Sequence, residues 1–187
     1  MAKLIYSPIA SLDGYVEDAD GNFDWSAPDP EVHAFINENE RSIGTYLYGR
    51  RMFETMRPWA TISLTEEMAP TIREFAEIWR AADKIVYSTT LHDVACPRTT
   101  TSAAFEPAAI CELKESLATD ISVGGASLAA RALRAGLVDE LRLILVPVAV
   151  GAGKPALPPD LRLQLSLADL RRFDSGVVYL RYDVTPA

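Results

Sequence analysis

The chain has 187 residues, a length that fits one domain of ordinary size with one substantial core. Apolar residues make up 49% of it and charged residues 24%, a balance that excludes disorder and fibrous repeats. Its 18 Lys and Arg against 26 Asp and Glu give a net charge of −8, which argues against nucleic acid or a membrane as a partner. We therefore expect a single domain over residues 1–187.

The apolar segments and the cysteines favour a cytoplasmic protein without a metal site. The N-terminal stretch is interrupted by Pro8 and is too short for a signal-peptide core. The longest apolar run, Leu143–Val150, has eight residues, whereas a membrane helix needs about 20. Cys96 and Cys111 lack metal-ligand spacing, so we expect free thiols.

Short apolar runs and stretches of helical period alternate along the chain. Its first half predicts a strand at Lys3–Ala10, a loop at Ser11–Asp24, a helix at Glu31–Arg41 capped by Asp29, a strand at Thr45–Tyr48, helices at Arg50–Met56 and Glu66–Ala82, and a strand at Lys84–Tyr87. Its second half predicts a strand near Ala103–Phe105, a helix at Pro107–Leu117, a strand at Ile121–Val123, a helix at Ser127–Ala135, a strand at Glu140–Val150, a loop at 151–160 and a strand at Val177–Val184.

This order predicts an α/β fold of three layers, with a mostly parallel central sheet and helices on both of its faces. The helix-poor last third predicts antiparallel C-terminal strands. Within it, Leu143–Val150 is apolar on both faces, so it is either central in the sheet or covered by a partner. We expect a homodimer built on these strands.

Four segments follow predicted strands, where an open α/β sheet binds its ligands. They are SLDGYVEDADGNFDW, YLYGRRMFE, IVYSTT and ISVGGASLA. In the last of them, Gly124 and Gly125 lead into a helix, and backbone without side chains lets a phosphate approach the helix N-terminus. The alternative is a tight strand-to-helix turn that needs glycine for packing alone.

Arg50 and Arg51 stand in the first turn of a predicted helix, where the helix dipole disfavours cations unless they face an anion. Two solvated arginines are the alternative. Ser88, Thr89 and Thr90 follow another strand, and their hydroxyls either cap a helix or donate to a phosphate.

The order and spacing of SLDG, DGNFDW, LYGRRMFE, IVYS, VGGASL, VDEL and PVAVGAG resemble the dihydrofolate reductase-like superfamily, in particular the reductase domain of bacterial riboflavin biosynthesis and its stand-alone relatives. The resemblance covers Lys3 to Val184 and implies NADPH as the hydride donor. It implies a flat nitrogen heterocycle, such as a pterin, pyrimidine or flavin, as the substrate. Riboflavin-pathway reductases also pair, which agrees with a homodimer.

The resemblance also implies roles for individual residues. The Arg50 guanidinium meets the cofactor phosphates, Ser88 lies beside the adenosine 2′-phosphate, and Gly124-Gly125, a pair often cis in the family, meets the pyrophosphate. Met52 departs from the phosphate-binding Thr of many members. The expected cofactor-binding set is Val16, Gly49, Arg50, Arg51, Ser88, Thr89, Gly124, Gly125, Ala126, Ser127 and Leu128.

Three further residues are candidates for catalysis and substrate binding. Asp13, or a water that it orders, supplies a proton or a substrate hydrogen bond, unless Asp13 only caps the turn that contains it. Trp25 closes over the active site at the end of a mobile loop, Gly14–Trp25, unless it is a core residue. Glu31 is the substrate-binding candidate by its position on the first helix.

Other interpretations explain less of the sequence. Asp18–Asp24 is similar to a calcium loop, but its glycine comes one place early and Asp29 stands where Glu is expected. Asp13 and Glu17 could form a glycosidase pair, although many loops carry such pairs. A second function that explains Gly124-Gly125 as well is a nucleotide- or flavin-binding protein without turnover.

Overall fold

The computed structural model describes residues 1–91 and 94–185, which form eleven strands and five α-helices. The strands are β1 (Leu4–Tyr6), β2 (Ile9–Ser11), β3 (Tyr15–Asp18), β4 (Ile43–Gly49), β5 (Asp83–Tyr87), β6 (Thr99–Ser102), β7 (Asp120–Gly124), β8 (Glu140–Val146), β9 (Gly153–Pro155), β10 (Gln164–Arg172) and β11 (Val178–Thr185). The helices are α1 (Pro30–Glu40), α2 (Arg50–Met56), α3 (Pro70–Ala81), α4 (Pro107–Ser116) and α5 (Ala126–Arg134).

One mixed sheet of nine strands forms the centre of the fold. Its order is β10-β11-β8-β1-β7-β4-β5-β6. The ninth strand, β2, follows β1 in the chain and pairs with β8 further along that strand. The strands from β8 to β6 pair in parallel, whereas β11 runs antiparallel to β8 and β10 antiparallel to β11. A separate small sheet joins β3 to β9. The predicted parallel sheet with antiparallel C-terminal strands is therefore confirmed.

Helices cover both faces of this sheet, which confirms the three layers. On one face, α1, α2 and α3 pack on the strands through buried side chains such as Val32, Phe53 and Trp79. On the other face, α4 and α5 pack through residues such as Ile110 and Leu133. In open α/β sheets, ligands bind at the carboxyl ends of the parallel strands, and α2 and α5 both begin there.

Three elements differ from the sequence predictions. The first strand is broken at Pro8, which lacks the N–H that a continuous ladder would need. The strand predicted near Ala103–Phe105 lies earlier, at β6, where β-branched threonines pair with β5. Helix α3 begins at Pro70 instead of Glu66, because proline fits the first turn of a helix but not its interior.

Three strands were not predicted at all. Both β3 and β9 lie in predicted loops, and they are short enough that neither shows an alternating pattern. The nine residues of β10 are all exposed, so the strand lacks the buried side that a sequence pattern detects.

The apolar segment Leu143–Val150 owes its character to a central position in the sheet. It is strand only to Val146, and β8 lies between β1 and β11. Ile144 and Val146 pack on α1, and Leu143 on the opposite face packs against the core beneath α5. The strand part of the segment is therefore central in the sheet, which is one of the two expected alternatives, whereas Pro147–Ala149 is exposed, and the homodimer stays a prediction. Within the described ranges, no helix is long and apolar enough to cross a membrane.

Candidate active site

The carboxyl ends of β4, β5 and β7 bring the predicted cofactor-binding segments to one edge of the sheet. In the strand register, Tyr48 lies opposite Gly124, and Gly49 lies opposite Tyr87, the residue before Ser88. Three segments that are far apart in sequence thus end side by side. Because neighbouring strands in a sheet are about 4.8 Å apart, these three strand ends lie within about 10 Å of one another across the sheet.

The first turns of α2 and α5 lie against each other at this edge. Gly125 precedes α5 with φ of +90°, and a Cβ built on it would be 3.1 Å from Cβ of Met52 in α2. A Cβ built on Gly49 would be 4.0 Å from Cβ of Leu128 in α5. The two helix starts direct their N–H groups and positive dipole ends toward one region, an arrangement suited to phosphate.

Glycine is required at the two positions before α5 for different reasons. A Cβ on Gly124 would be 2.5 Å from Cε1 of Tyr48, so packing alone requires glycine there, as the alternative interpretation held. Gly125 is required by its positive φ. The peptide between them is trans, since the described residues contain no cis bond, and the cis geometry suggested by the resemblance is absent.

The three α5 residues of the predicted cofactor set differ in how far their side chains are exposed. The side chains of Ala126 and Leu128 are buried in the core, so only their backbone can face a ligand. Ser127 is exposed and offers a hydroxyl. The first turn of α5 therefore presents backbone N–H groups and one side chain.

Arg50, Ser88 and Thr90 form a hydrogen-bonded group beside α2. Arg50 donates from Nη1 to Oγ1 of Thr90 at 3.0 Å and from Nε to Oε1 of Glu54 at 2.7 Å. Oγ of Ser88 accepts from the backbone N–H of Thr90 at 3.2 Å. Thr89 is exposed in the same turn. Sequence reasoning left Thr90 out of the cofactor set, because a contact between segments 40 residues apart is not visible in the sequence.

Arg51 points away from this group toward the small sheet. Its guanidinium is 84% exposed and lies 4.0 Å from Glu17 on β3. Glu17 also lies 3.7 Å from Nζ of Lys154, its cross-strand partner on β9. Val16, the neighbour of Glu17 on β3, is half-buried. Lys154 and Glu17 were not expected here, because neither strand was predicted.

Asp13 is fully engaged with the backbone of the loop after β8. Its carboxylate accepts from the N–H of Gly151 at 2.7 Å and of Val150 at 3.1 Å. The hydrogen bond from Ser11 and these two N–H groups hold the pKa of Asp13 below its ordinary value. Asp13 thus holds the turn that contains it, as the alternative interpretation held, and its role in proton supply or substrate hydrogen bonding stays a prediction.

We expect Asp13→Ala to release the turn between β2 and β3. The lowered pKa means that the bonds stabilise the fold above the ordinary carboxyl range and are lost as the pH falls through the folded value. Hydrogen exchange of residues 12–18 should be faster in the variant, and acidification should affect the variant less than the parent. Asp20→Ala, at an exposed carboxylate in the same loop, is the control; equal exchange in both variants would contradict the assignment.

Trp25 is held at the end of the segment that was expected to be a mobile loop. It lies in a 3₁₀ turn, is half-buried beside the α1 cluster, and donates from its indole to the carbonyl of Asn22 at 3.2 Å. The segment has its own order, since Asp18 accepts from the N–H groups of Asp20 and Asn22 and β3 pairs with β9. The Asp18 carboxylate thus closes a hydrogen-bonded turn within Asp18–Asp24, the stretch whose sequence is similar to a calcium loop.

Glu31 lies beside β10, the outermost strand on one side of the sheet. Its carboxylate accepts from Nη2 of Arg171 on β10 at 3.0 Å, and the Arg171 guanidinium stacks over Phe35 and Phe173. The partner of Glu31 in this structure is an arginine of the edge strand β10, and the substrate role of Glu31 stays a prediction. Its helix neighbour Val32 is the residue that faces the core.

The VDEL motif has a structural role. Asp139 accepts from the N–H of Leu4 at 2.7 Å and pairs with the buried Lys114 at 2.6 Å. Glu140 pairs with Lys3 at 3.0 Å and with the buried Arg142 at 2.6 Å. These contacts fix β1 beside β8 and do not reach the carboxyl edge of the sheet.

Known proteins similar to this chain point to one family. The family model of the RibD C-terminal domain matches residues 2–179. The uncharacterized protein YyaP of Bacillus subtilis (strain 168) is 33% identical over 188 aligned positions, and the alignment covers 96% of this chain and 94% of that relative.

Solved structures agree in fold at lower identity. A pyrimidine reductase-like protein from Corynebacterium diphtheriae matches with a TM-score of 0.72 and 14% identity, covering 100% of this chain and 93% of its own. A dihydrofolate reductase from Enterococcus faecalis, solved with NADP(H), matches with a TM-score of 0.64 and 15% identity over 98% and 97% of the two chains. The fold is the dihydrofolate reductase-like fold, and the chain belongs to the family of RibD C-terminal domains, a family of reductases.

Proposed function

We propose that this protein is an NADPH-dependent reductase that acts on a small flat heterocycle of the pyrimidine, pterin or flavin class. The observation that carries the proposal is the convergence of two helix starts and the Arg50 group at one sheet edge. The family match and the names of the similar structures, one a pyrimidine reductase-like protein and one a dihydrofolate reductase with NADP(H), support the same chemistry.

The residues present fit a dinucleotide phosphate. Gly125 has no side chain between α5 and the first turn of α2, where a Cβ would lie 3.1 Å from Cβ of Met52. Arg50 and Thr90 supply a cation and a hydroxyl beside it. NADPH would, when bound, supply a hydride from nicotinamide C4 to the carbon of a C=N or similar unsaturated bond of the substrate, and water would supply the proton that completes the reduction.

The protein contributes position and the exclusion of water. The backbone N–H groups of α2 and α5 hold the phosphates, while the turn anchored by Asp13 and the β3–β9 sheet lie next to the same edge. Holding two rings face to face lowers the barrier by several kcal/mol, up to about 10 in favourable cases. Trp25 is fixed at the end of this segment and gives it an apolar anchor on α1.

An anaerobic screen of NADPH oxidation tests the proposal. Pterins, pyrimidinones, flavins and quinones are offered in turn, and steady oxidation with one of the heterocycles is the expected result. Tight NADPH binding without oxidation by any of them would favour the second function, a dinucleotide-binding protein of this fold without turnover. Absence of NADPH binding would overturn both.

We also propose a homodimer in the cytoplasm, built on β10 instead of β8. Leu165, Leu167 and Leu170 lie opposite residues of one face of β11 and are 37%, 52% and 60% exposed. An edge strand with leucines in one line is a surface that soluble proteins normally cover. Two copies related by a two-fold axis can cover it with the same patch on each, and uncharged leucines meet themselves without repulsion. Cys96 and Cys111 are free thiols, which suits a reducing compartment.

Charging the leucine line should separate the dimer. We expect the parent protein to have twice the mass of the 20.5 kDa chain by light scattering at micromolar concentration, and Leu170→Lys to have the mass of one chain. Leu12→Lys, at a leucine that is 68% exposed outside the line, is the matched control and should stay dimeric. A parent protein of single-chain mass would refute the dimer.

A further inference from the structure

Glu17 lies between two cations at the mouth of a cavity. It is the cross-strand partner of Lys154 at 3.7 Å and reaches Arg51 of α2 at 4.0 Å. Its side chain is only 28% exposed, whereas that of Arg51 is 84% exposed. The cavity has about 500 Å³ and is lined by Glu17–Gly21, Arg51, Gly153 and Lys154. One carboxylate thus joins β3 to the first turn of α2 across an open space.

The other acids of the cavity are not equivalent to Glu17. The carboxylate of Asp18 accepts two backbone N–H groups of its own turn, at 2.8 and 3.0 Å. Asp20 is exposed at the tip of that turn. Among the ion pairs of the described residues, those of Arg51 and Lys154 are both with Glu17. The distances are those of loose ion pairs, which contribute little and exchange partners readily.

We propose that Arg51 and Lys154 form a phosphoryl-binding subsite that Glu17 occupies until a ligand displaces it. The inference rests on the proposed function, since the cavity adjoins the cofactor edge through Arg51, and it assigns the phosphoryl group to the pyrophosphate of the dinucleotide. A phosphoryl group offers more charge and more acceptor oxygens than a carboxylate, and arginine binds it through two parallel hydrogen bonds. Displacing Glu17 also detaches β3 from α2, which couples cofactor entry to the position of the loop.

The test is Glu17→Gln, which keeps the shape of the side chain and removes the competing charge. Calorimetric titrations use NADPH, NADH and inorganic pyrophosphate as separate probes. We expect the variant to bind all three roughly three- to tenfold more tightly, since two loose ion pairs no longer compete. Asp20→Asn makes the same change of charge in the same cavity, at a carboxylate that pairs with neither cation, and we expect a clearly smaller gain than from Glu17→Gln.

A second set of variants ties the effect to the two cations. In the Arg51→Gln, Lys154→Gln background, Glu17→Gln should give no gain, because nothing remains for the carboxylate to hold. If Glu17→Gln raises the affinity for pyrophosphate alone, the subsite is supported, and its phosphoryl group is assigned to the substrate instead of the dinucleotide. Equal gains from Glu17→Gln and Asp20→Asn, or weaker binding after Glu17→Gln, overturn the proposal.

Failure of the proposed function would look different. A parent protein that binds neither dinucleotide refutes the reductase, while the pyrophosphate titration of the same variants still decides the subsite. A parent protein that binds both dinucleotides, with no response to Glu17→Gln from any probe, leaves the reductase intact and refutes the subsite.

Discussion

Gly125→Val is expected to abolish measurable NADPH binding in a protein that still folds. The φ of +90° at Gly125 is one that side-chain-bearing residues rarely adopt, and a Cβ there would be 3.1 Å from Cβ of Met52. The valine methyl groups would occupy the space before α5 that the phosphates must enter. We expect an affinity loss of more than about a hundredfold, since the change removes close backbone approach and not a single hydrogen bond.

The control separates this effect from backbone strain. Gly136 also has a positive φ, of +66°, and a Cβ built on it meets nothing within 4 Å. Gly136→Val therefore also places a β-branched residue at a positive φ, without a close contact, at the end of α5 that is remote from the site. Circular dichroism and thermal unfolding should show both variants folded, and calorimetry should show NADPH binding only in Gly136→Val. Normal binding by a folded Gly125→Val protein would remove Gly125 from the site.

The long elements of the fold follow from local sequence patterns. The strands before Gly49 and Gly124 are runs of buried residues, and α3 shows its apolar side every three or four residues because only one face packs on the sheet. Motifs at the ends of such elements can be placed without a structure, since parallel strands end at one edge. Gly125 and Arg50 were found in this way.

Two candidate residues, Asp13 and Glu31, have partners that are distant in sequence and that the sequence alone did not predict. Asp13 was expected to act in chemistry, but its partners Val150 and Gly151 lie on a loop whose path depends on β8 and β9. Glu31 was chosen by position on α1, and its partner Arg171 belongs to a strand that carries no pattern of burial. Such side chains are exposed, and a sequence pattern reports burial and turn geometry but not which exposed groups meet.

Arg50→Ala is expected to remove a preference for NADPH over NADH. The guanidinium has five N–H donors, and its contacts with Thr90 and Glu54 use one on Nη1 and one on Nε. The remaining donors, with the Ser88 hydroxyl, are available to a 2′-phosphate, which NADH lacks. Charge-assisted hydrogen bonds contribute about 1.5–3 kcal/mol each, so the parent protein should favour NADPH by more than about tenfold.

Calorimetric titration of both cofactors measures this preference in each variant. Arg50→Ala should weaken NADPH by more than about tenfold and NADH much less, because only NADPH loses a charged partner. Arg57→Ala, at an exposed arginine just beyond the other end of α2, changes the net charge equally and should leave the ratio of affinities unchanged. Arg50→Lys should recover part of the preference, since lysine keeps the charge without the planar set of donors. If the parent protein binds the two cofactors equally, Arg50 and Ser88 do not meet a 2′-phosphate, and the contact of Arg50 with Thr90 only secures the loop after β5 to α2.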